Sequence, residues 1–441
     1  MSSTHEAPTF NLKAVLAQTG VKAHTLRAWE KKYGLPRPAR SKGNQRLYTQ
    51  QDIDIILWLL ARIDEGFTIR RAAELWLSLE NRGQDPLLFQ AVPEVVPLPA
   101  LGPTDNLTNL RNGWIGACLQ FDHEATDKYL SQAFALFPIK TVCHDILLQG
   151  IHEIGELWFI NQVSVPQEHF ASAKCIEKFN TLLNTAPVPT RPIRLLLACP
   201  PREEHTISLL LLALLLRYQG LQVVYLGAKT PVTEIETAAR EVKPDLVILA
   251  AQRLETAANL AEATEALAQI GIPTAYGGSI FNRVPGLSRY VTGHFLGQSI
   301  EDAVPIINKL LIEKPPMYRA RPLPLAYQHN IHHFISSHSL ISYEMMQAMN
   351  GSGIPQQFLE GTSHRFKESI LAALKLGDIH LLDSELTLTQ HLMENHGITF
   401  AMQRTFLHTY HQACQTVLEE NSDIVTTWLA NLAAANYTWS T

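Results

Sequence analysis

From residue 190 onward, short apolar runs alternate with longer stretches in which apolar residues recur at helical spacing. The runs are "IRLLLAC", "LQVVYLG", "DLVILAA", "PTAYGG" and "RYVTGHFLG", and most are followed by a helical pattern such as "TISLLLLALLLRYQG" or "TAANLAEATEALAQIG". Near-continuous apolar strands joined by helices predict a parallel sheet covered on both faces, here a doubly wound parallel sheet of flavodoxin-like type over 190–313. Upstream, 104–188 keeps helical period over four stretches, which predicts a four-helix bundle. Downstream, 329–441 is again amphipathic, as in "FKESILAALKLGDIHLLDSELTLTQHLMENHGI", and predicts a C-terminal helical domain. The opening of 9–80, "NLKAVLAQTGVKAHTLRAWEKKYGL", reads as a short helix, a turn at Thr19-Gly20 and a second helix from Ala23; a Gly-Asn turn between basic residues follows, in the manner of a wing. The fold class is therefore multidomain, α and α/β, with a winged helix-turn-helix head.

Two proline-rich stretches, Asp85 to Pro103 and Lys314 to Gln328, hold prolines at a density no helix interior tolerates and read as linkers. With 441 residues, 46% of them hydrophobic, the chain is long enough for about three ordinary domains. The five cysteines include no close pair, which fits a reducing compartment and argues against a disulfide framework or a thiolate zinc site. No basic-then-apolar leader opens the chain and no apolar run is long enough to span a bilayer, so a cytoplasmic protein with no membrane partner is expected.

Charge changes the picture in the head. The net charge is −5, yet Lys22, Arg27, Lys31, Lys32, Arg37, Arg40, Lys42 and Arg46 crowd a span whose single acid is Glu30. Such a local excess is the footprint of a polyanion. With Thr25, Leu26, Arg27 and Trp29 on the second helix, and Arg46 and Tyr48 after Gly43-Asn44, the head resembles the MerR family of winged-helix regulators. The resemblance implies a double-stranded DNA operator as partner, Thr25, Arg27, Trp29, Lys42, Arg46 and Tyr48 as DNA contacts, and a homo-oligomer, dimer or tetramer.

The first loop of the sheet, "CPPREEH", lacks the glycines that a phosphate cradle needs and sets His205 before an apolar helix. A metal held through imidazole suits it better, with Glu203 or Glu204 placed to accept the other ring proton. Glu203-x-His205-x-x-Ser208, with Gly277-Gly278 later, resembles the cobalamin-binding domain of methionine synthases and corrinoid mutases. That resemblance implies cobalt ligation by His205 and a nucleotide tail near Ser208, Gly277 and Gly278. The departures are Glu for Asp, Ser for Gly after the histidine, and "LAAQRLE" where a Ser-x-Leu element is expected.

In the bundle, Trp158 is followed by Glu168-His169, a spacing that resembles the upper-face motif of the CarH and LitR light-dependent regulators. The resemblance implies that these three residues surround the adenosyl group of adenosylcobalamin. The histidine that often follows the Trp in that family is Phe159 here, so the upper cobalt ligand after photolysis is left open. Other open ligands are another cobalamin form or a bilin. The tail holds most of the histidines, among them His329, His332, His333, His391, His396, His408 and His411, and is expected to form a second bundle used for association. A transcriptional photoreceptor rather than an enzyme is the reading; a corrinoid methyl carrier, the competing class, leaves the DNA-binding head without purpose.

Overall fold

A computed structural model describes residues 10–41, 43–64, 68–81, 86, 103–349, 356–395, 397–418 and 424–435. Residues 1–101 and 102–441 form two compact units.

In the first unit, β1 (Phe10–Asn11) leads into α1 (Leu12–Thr19) and α2 (Ala23–Tyr33). Then come β2 (Ala39–Arg40), β3 (Arg46–Tyr48), α3 (Gln50–Asp64) and α4 (Ile69–Asn81). The Asn11 side chain caps α1 by accepting from the Ala14 amide, and Gly20, at φ +70°, ends it in the left-handed conformation that glycine adopts without strain. Strand β3 pairs antiparallel with both β1 and β2. In the β2–β3 turn the left-handed position falls on Asn44 (φ +59°), which also accepts from Arg40. Val15, Leu26, Trp29, Tyr48, Ile56 and Trp76 fill the core. The aromatics Trp29 and Tyr48, expected at DNA, lie in this core: Tyr48 is fully buried and Trp29 nearly so.

The second unit opens with the bundle: α5 (Pro103–Leu119), α6 (His123–Leu136), α7 (Ile139–Thr141) passing through a π-helical stretch, Val142–Leu148, into α8 (Gln149–Phe159), and α9 (Val165–Asn184). The sheet follows, with β4 (Arg194–Ala198), β5 (Gln222–Gly227), β6 (Leu246–Ala250), β7 (Thr274–Gly277) and β8 (His294–Phe295) in the order β5-β4-β6-β7-β8, all parallel. Its helices are α10 (Ile207–Tyr218), α11 (Val232–Val242), α12 (Leu254–Gln269), the short α13 (Ile280–Arg283) and α14 (Ile300–Glu313). The tail is helical throughout its described residues: α15 (Leu325–Ala348), α16 (Gln356–Leu376), α17 (Leu381–Asn395), α18 (Phe400–Val417) and α19 (Ile424–Ala434).

Helix α10 explains its own composition. Leu210, Leu211 and Leu214 enter the core of the bundle, while Leu209, Leu212, Ala213 and Leu216 pack with Leu195 and Leu197 of the sheet. A helix apolar all round is one covered all round. On the opposite face of the sheet, α11 and α12 share one continuous core with the tail, including Phe366, Ile370 and Tyr410.

The second proline-rich stretch is not a free linker. The Gly293 amide donates to the Tyr318 carbonyl (2.9 Å), the Tyr318 hydroxyl to the Arg289 carbonyl (2.9 Å), and the Ala320 amide to Thr292 Oγ1 (3.1 Å). Proline bars a helix there, but an extended segment can still be pinned by its own side chains and carbonyls. The first such stretch lies almost wholly outside the described residues.

Candidate functional site

His205 lies in the loop between β4 and α10, at the carboxyl edge of the sheet where the winding direction switches and beside the helix that joins sheet to bundle. The loop is braced from several sides: Thr230 N donates to the Cys199 carbonyl (3.0 Å), Lys229 N to the Glu203 carbonyl (3.0 Å), and Asn259 Nδ2 to the Pro201 carbonyl (2.9 Å).

Glu203, with a fully buried side chain, organises the centre. Its Oε1 meets His205 Nδ1 at 2.7 Å and accepts from the His205 amide at 2.9 Å; its Oε2 accepts from the Gln252 amide and from Thr256 Oγ1, both at 2.6 Å. Burial pushes the carboxyl pKa up, but the hydrogen bonds from His205, Thr256 and the two amides outweigh it and hold the group at about 2. An ionised acceptor fixes Nδ1 as the protonated nitrogen, which in the neutral ring leaves the lone pair on Nε2, and that atom bonds to none of the described residues. The side chain of His205 is 52% exposed. Glu204 is turned away, paired with Lys229.

The dyad continues outward. Gln252 Oε1 accepts from the Ser279 amide (2.8 Å); Arg283 donates to the Gln252 carbonyl (2.7 Å) and to Ser279 Oγ (2.9 Å), and reaches Glu385 of the tail (3.4 Å). Thus "LAAQRLE", which departs from the expected Ser-x-Leu, supplies both an amide for Glu203 and a bracket for the β7 loop. Ser208 sits half-buried in the first turn of α10. Gly278 (φ +126°) is required by the fold itself, since a Cβ there would lie 1.8 Å from the Ala251 carbonyl oxygen; at Gly277 a Cβ would meet only Leu296, at 3.9 Å.

Trp158, Glu168 and His169 flank the tight turn between α8 and α9, which is closed by Asn161 N to the Trp158 carbonyl and Gln162 N to the Leu157 carbonyl. Trp158 packs half-buried on the bundle core, Glu168 accepts from Ser172 Oγ (2.7 Å), and His169 is exposed, 3.8 Å from Glu168. A second bundle-to-sheet fastening, not legible in the sequence, runs through His144: Nδ1 meets Asp145 at 2.6 Å and Nε2 meets Glu301 of α14 at 2.8 Å. In the tail, His411 is buried and His408 exposed. Among the described residues no group of three or more His, Cys, Asp or Glu is arranged to hold a metal, and His396 lies outside them.

In the head, Arg27 is exposed on α2 and Thr25 half-buried. Arg46 is held by both oxygens of Glu30, at 2.8 and 3.2 Å, so any phosphate contact from it must compete with that pair. Lys42 lies outside the described residues.

Three family profiles match this arrangement. The MerR HTH family regulatory protein profile covers residues 10–78, and two B12 binding domain profiles cover 110–183 and 193–296. The chain joins a MerR helix-turn-helix head to B12-binding domains. The HTH-type transcriptional repressor CarH of Myxococcus xanthus is 27% identical over 274 residues, spanning 62% of this chain and 89% of its own. The HTH-type transcriptional repressor CarA of the same organism is 29% identical over 259 residues, spanning 58% and 81%. This MerR and B12-binding chain is homologous to both, and neither is named as an enzyme. Among solved structures, the Methanosarcina barkeri monomethylamine corrinoid protein matches loosely, with TM-score 0.40 and 14% identity over 47% of this chain and 99% of that one. Both relatives leave a large part of this chain uncovered. No helix among the described residues is long and apolar enough to cross a membrane.

Proposed function

We propose that the protein is a transcriptional regulator that binds adenosylcobalamin between its bundle and its sheet and answers light by changing oligomeric state and operator affinity. One observation carries the cobalamin assignment. At the carboxyl edge of the sheet, beside the bundle, a histidine has Nδ1 tied to a buried, ionised carboxylate and Nε2 left with its lone pair. That donor set fits an imidazole that would ligate a metal: the carboxylate fixes the tautomer and raises the basicity of Nε2. His205 would hold cobalt, Ser208 and Gly277-Gly278 would border the nucleotide tail, and Trp158, Glu168 and His169 would border the upper face. When bound, adenosylcobalamin supplies a cobalt–carbon bond that light cleaves.

The chain's part is mechanical. A packed interface tolerates a void poorly, at several kcal/mol for a group of that size. Trp158 and the Glu168-His169 pair would line the space above the ligand, so a change in what fills that space would shift the bundle on the sheet. Converting a mostly assembled population to a mostly separate one takes about 5.5 kcal/mol, a sum that several subunits reach together. The dark form is expected to be the larger oligomer and the tighter DNA binder, with Arg27, Lys42, Thr25 and a released Arg46 facing the operator. The relatives' names make repression the expected direction.

The test is an absorption spectrum of the full chain loaded with adenosylcobalamin, before and after green light, beside His205→Ala. The wild type should retain the ligand and change spectrum on illumination. His205→Ala should lose most of it, or keep it with the spectrum of a form lacking histidine ligation. Equal retention and identical spectra in the two chains would remove His205 as the ligand.

A further inference from the structure

The tail reaches the same site. Helix α17 is anchored at two points on one side. Near its start, Glu385 takes the Arg283 guanidinium that also brackets Gln252 and Ser279. At its end, Asn395 Nδ2 donates to the carbonyl of Phe159 (3.1 Å), the residue after Trp158. Ten residues of helix span about 15 Å, so α17 lies as a beam from the carboxyl edge of the sheet to the tip of the cap. The ion pair of Arg202 with Glu368 and the bond from Ser369 to Glu255 (2.6 Å) fix the neighbouring helix α16 to the same edge.

At about 100° per residue, positions 385, 388, 392 and 395 fall within about 80° of one another, on one face. Leu388 and Leu392 therefore point the way the two anchors point. Leu388 is 39% exposed, and neither leucine joins any of the hydrophobic cores. Tertiary packing elsewhere on the tail is extensive, so an apolar strip outside those cores, exposed at Leu388 and half-buried at Leu392, between two polar anchors marks a gap that the beam crosses.

The geometry points to α17 as a third wall of the cobalamin cleft, with Leu388 and Leu392 packing on the apolar, methyl-bearing edge of the corrin ring. This rests on the cobalamin reading above and adds to it a wall from the tail, outside both B12-binding profiles. The tail is then part of the binding site, and Leu388 and Leu392 are binding residues.

The test uses the full chain, wild type and Leu388→Glu, loaded with adenosylcobalamin in the dark. Release is followed by absorbance during a chase with excess hydroxocobalamin, and amide exchange over 385–395 is measured with and without ligand. Leu388→Glu should release the ligand about tenfold faster or more, the equivalent of about 1.4 kcal/mol, while the urea midpoint of the ligand-free chain stays unchanged. Wild-type amides in 385–395 should exchange more slowly once the ligand is bound. If the wild type retains cobalamin but both chains release it at the same rate and exchange is unaltered, the wall is overturned and the cobalamin reading survives. A wild type that retains no cobalamin overturns both.

Discussion

Replacing Glu203 by glutamine keeps the shape of a fully buried side chain and removes its charge. The carboxylate accepts four hydrogen bonds, and they hold its pKa at about 2 against 4.5 for an unperturbed glutamate, in spite of burial. At about 1.4 kcal/mol per tenfold change in proton affinity, that difference is worth roughly 3 kcal/mol. A second route gives a similar figure: a bond to a charged acceptor is stronger than its neutral counterpart by roughly 1 kcal/mol, and there are four. Glutamine also meets a conflict, because its NH2 group faces the Gln252 amide, which can only donate. The sign with pH follows from the direction of the shift. A carboxyl whose folded pKa lies below its unfolded value stabilises fully above about 4.5, and that stability is lost as pH falls toward about 2. Urea unfolding of the two chains should therefore show Glu203→Gln weaker by about 3 kcal/mol near neutral pH, with the gap smaller by about 1.4 kcal/mol near pH 3.5. A gap under about 1 kcal/mol at neutral pH, or one that stays constant on acidification, would refute the picture of an ionised, fourfold-bonded carboxylate.

Arg27→Ala should weaken operator binding and lower the salt slope of log K by about one unit, read from titrations across salt concentrations; an unchanged slope would mean that Arg27 meets no phosphate. Tyr48→Phe removes a buried hydroxyl that has no hydrogen-bond partner among the described residues, so operator affinity should stay as in wild type and the thermal midpoint should hold or rise, by the equivalent of about 1 kcal/mol; a clear loss of DNA affinity would mark Tyr48 as a contact. Gly278→Ala places a Cβ against the Ala251 carbonyl at a positive φ and should cost about 3 kcal/mol or more in unfolding free energy, so a tolerated alanine would show that the β7 loop adjusts freely.

What could be read from the sequence was what repeats or lies close along the chain. The strands of the sheet announce themselves because each is a short apolar run between turn residues, and the parallel order follows from the helices between them. The Glu203–His205 pair was legible because its members lie two positions apart. Gln252 and Arg283 were not, because the fold alone brings them from 49 and 80 positions beyond Glu203 (252 − 203 and 283 − 203). The burial of Trp29 and Tyr48 was not legible for a different reason: aromatic residues inside a DNA-binding motif serve the core as readily as the operator, and sequence order does not tell the two apart. Likewise the amphipathic stripes of α15 to α19 predicted that one face would be buried. They could not say that part of it would share a core with α11 and α12, nor that Asn395 would touch the residue after Trp158.

Helix α10 belongs to two cores, and this bears on how such a chain can be divided. Three leucines, Leu210, Leu211 and Leu214, face the bundle, and each is worth roughly 1.5–3 kcal/mol when taken out of water. A sheet domain freed of its bundle would carry that stripe on its surface, where it would recruit another apolar surface. The bundle, cut away, would lose the floor on which its core closes. Gene fusion or shuffling that separates the two between Asn184 and Arg194 should yield aggregating halves, so the pair is expected to travel through evolution as one heritable block, whatever head or tail is spliced to it.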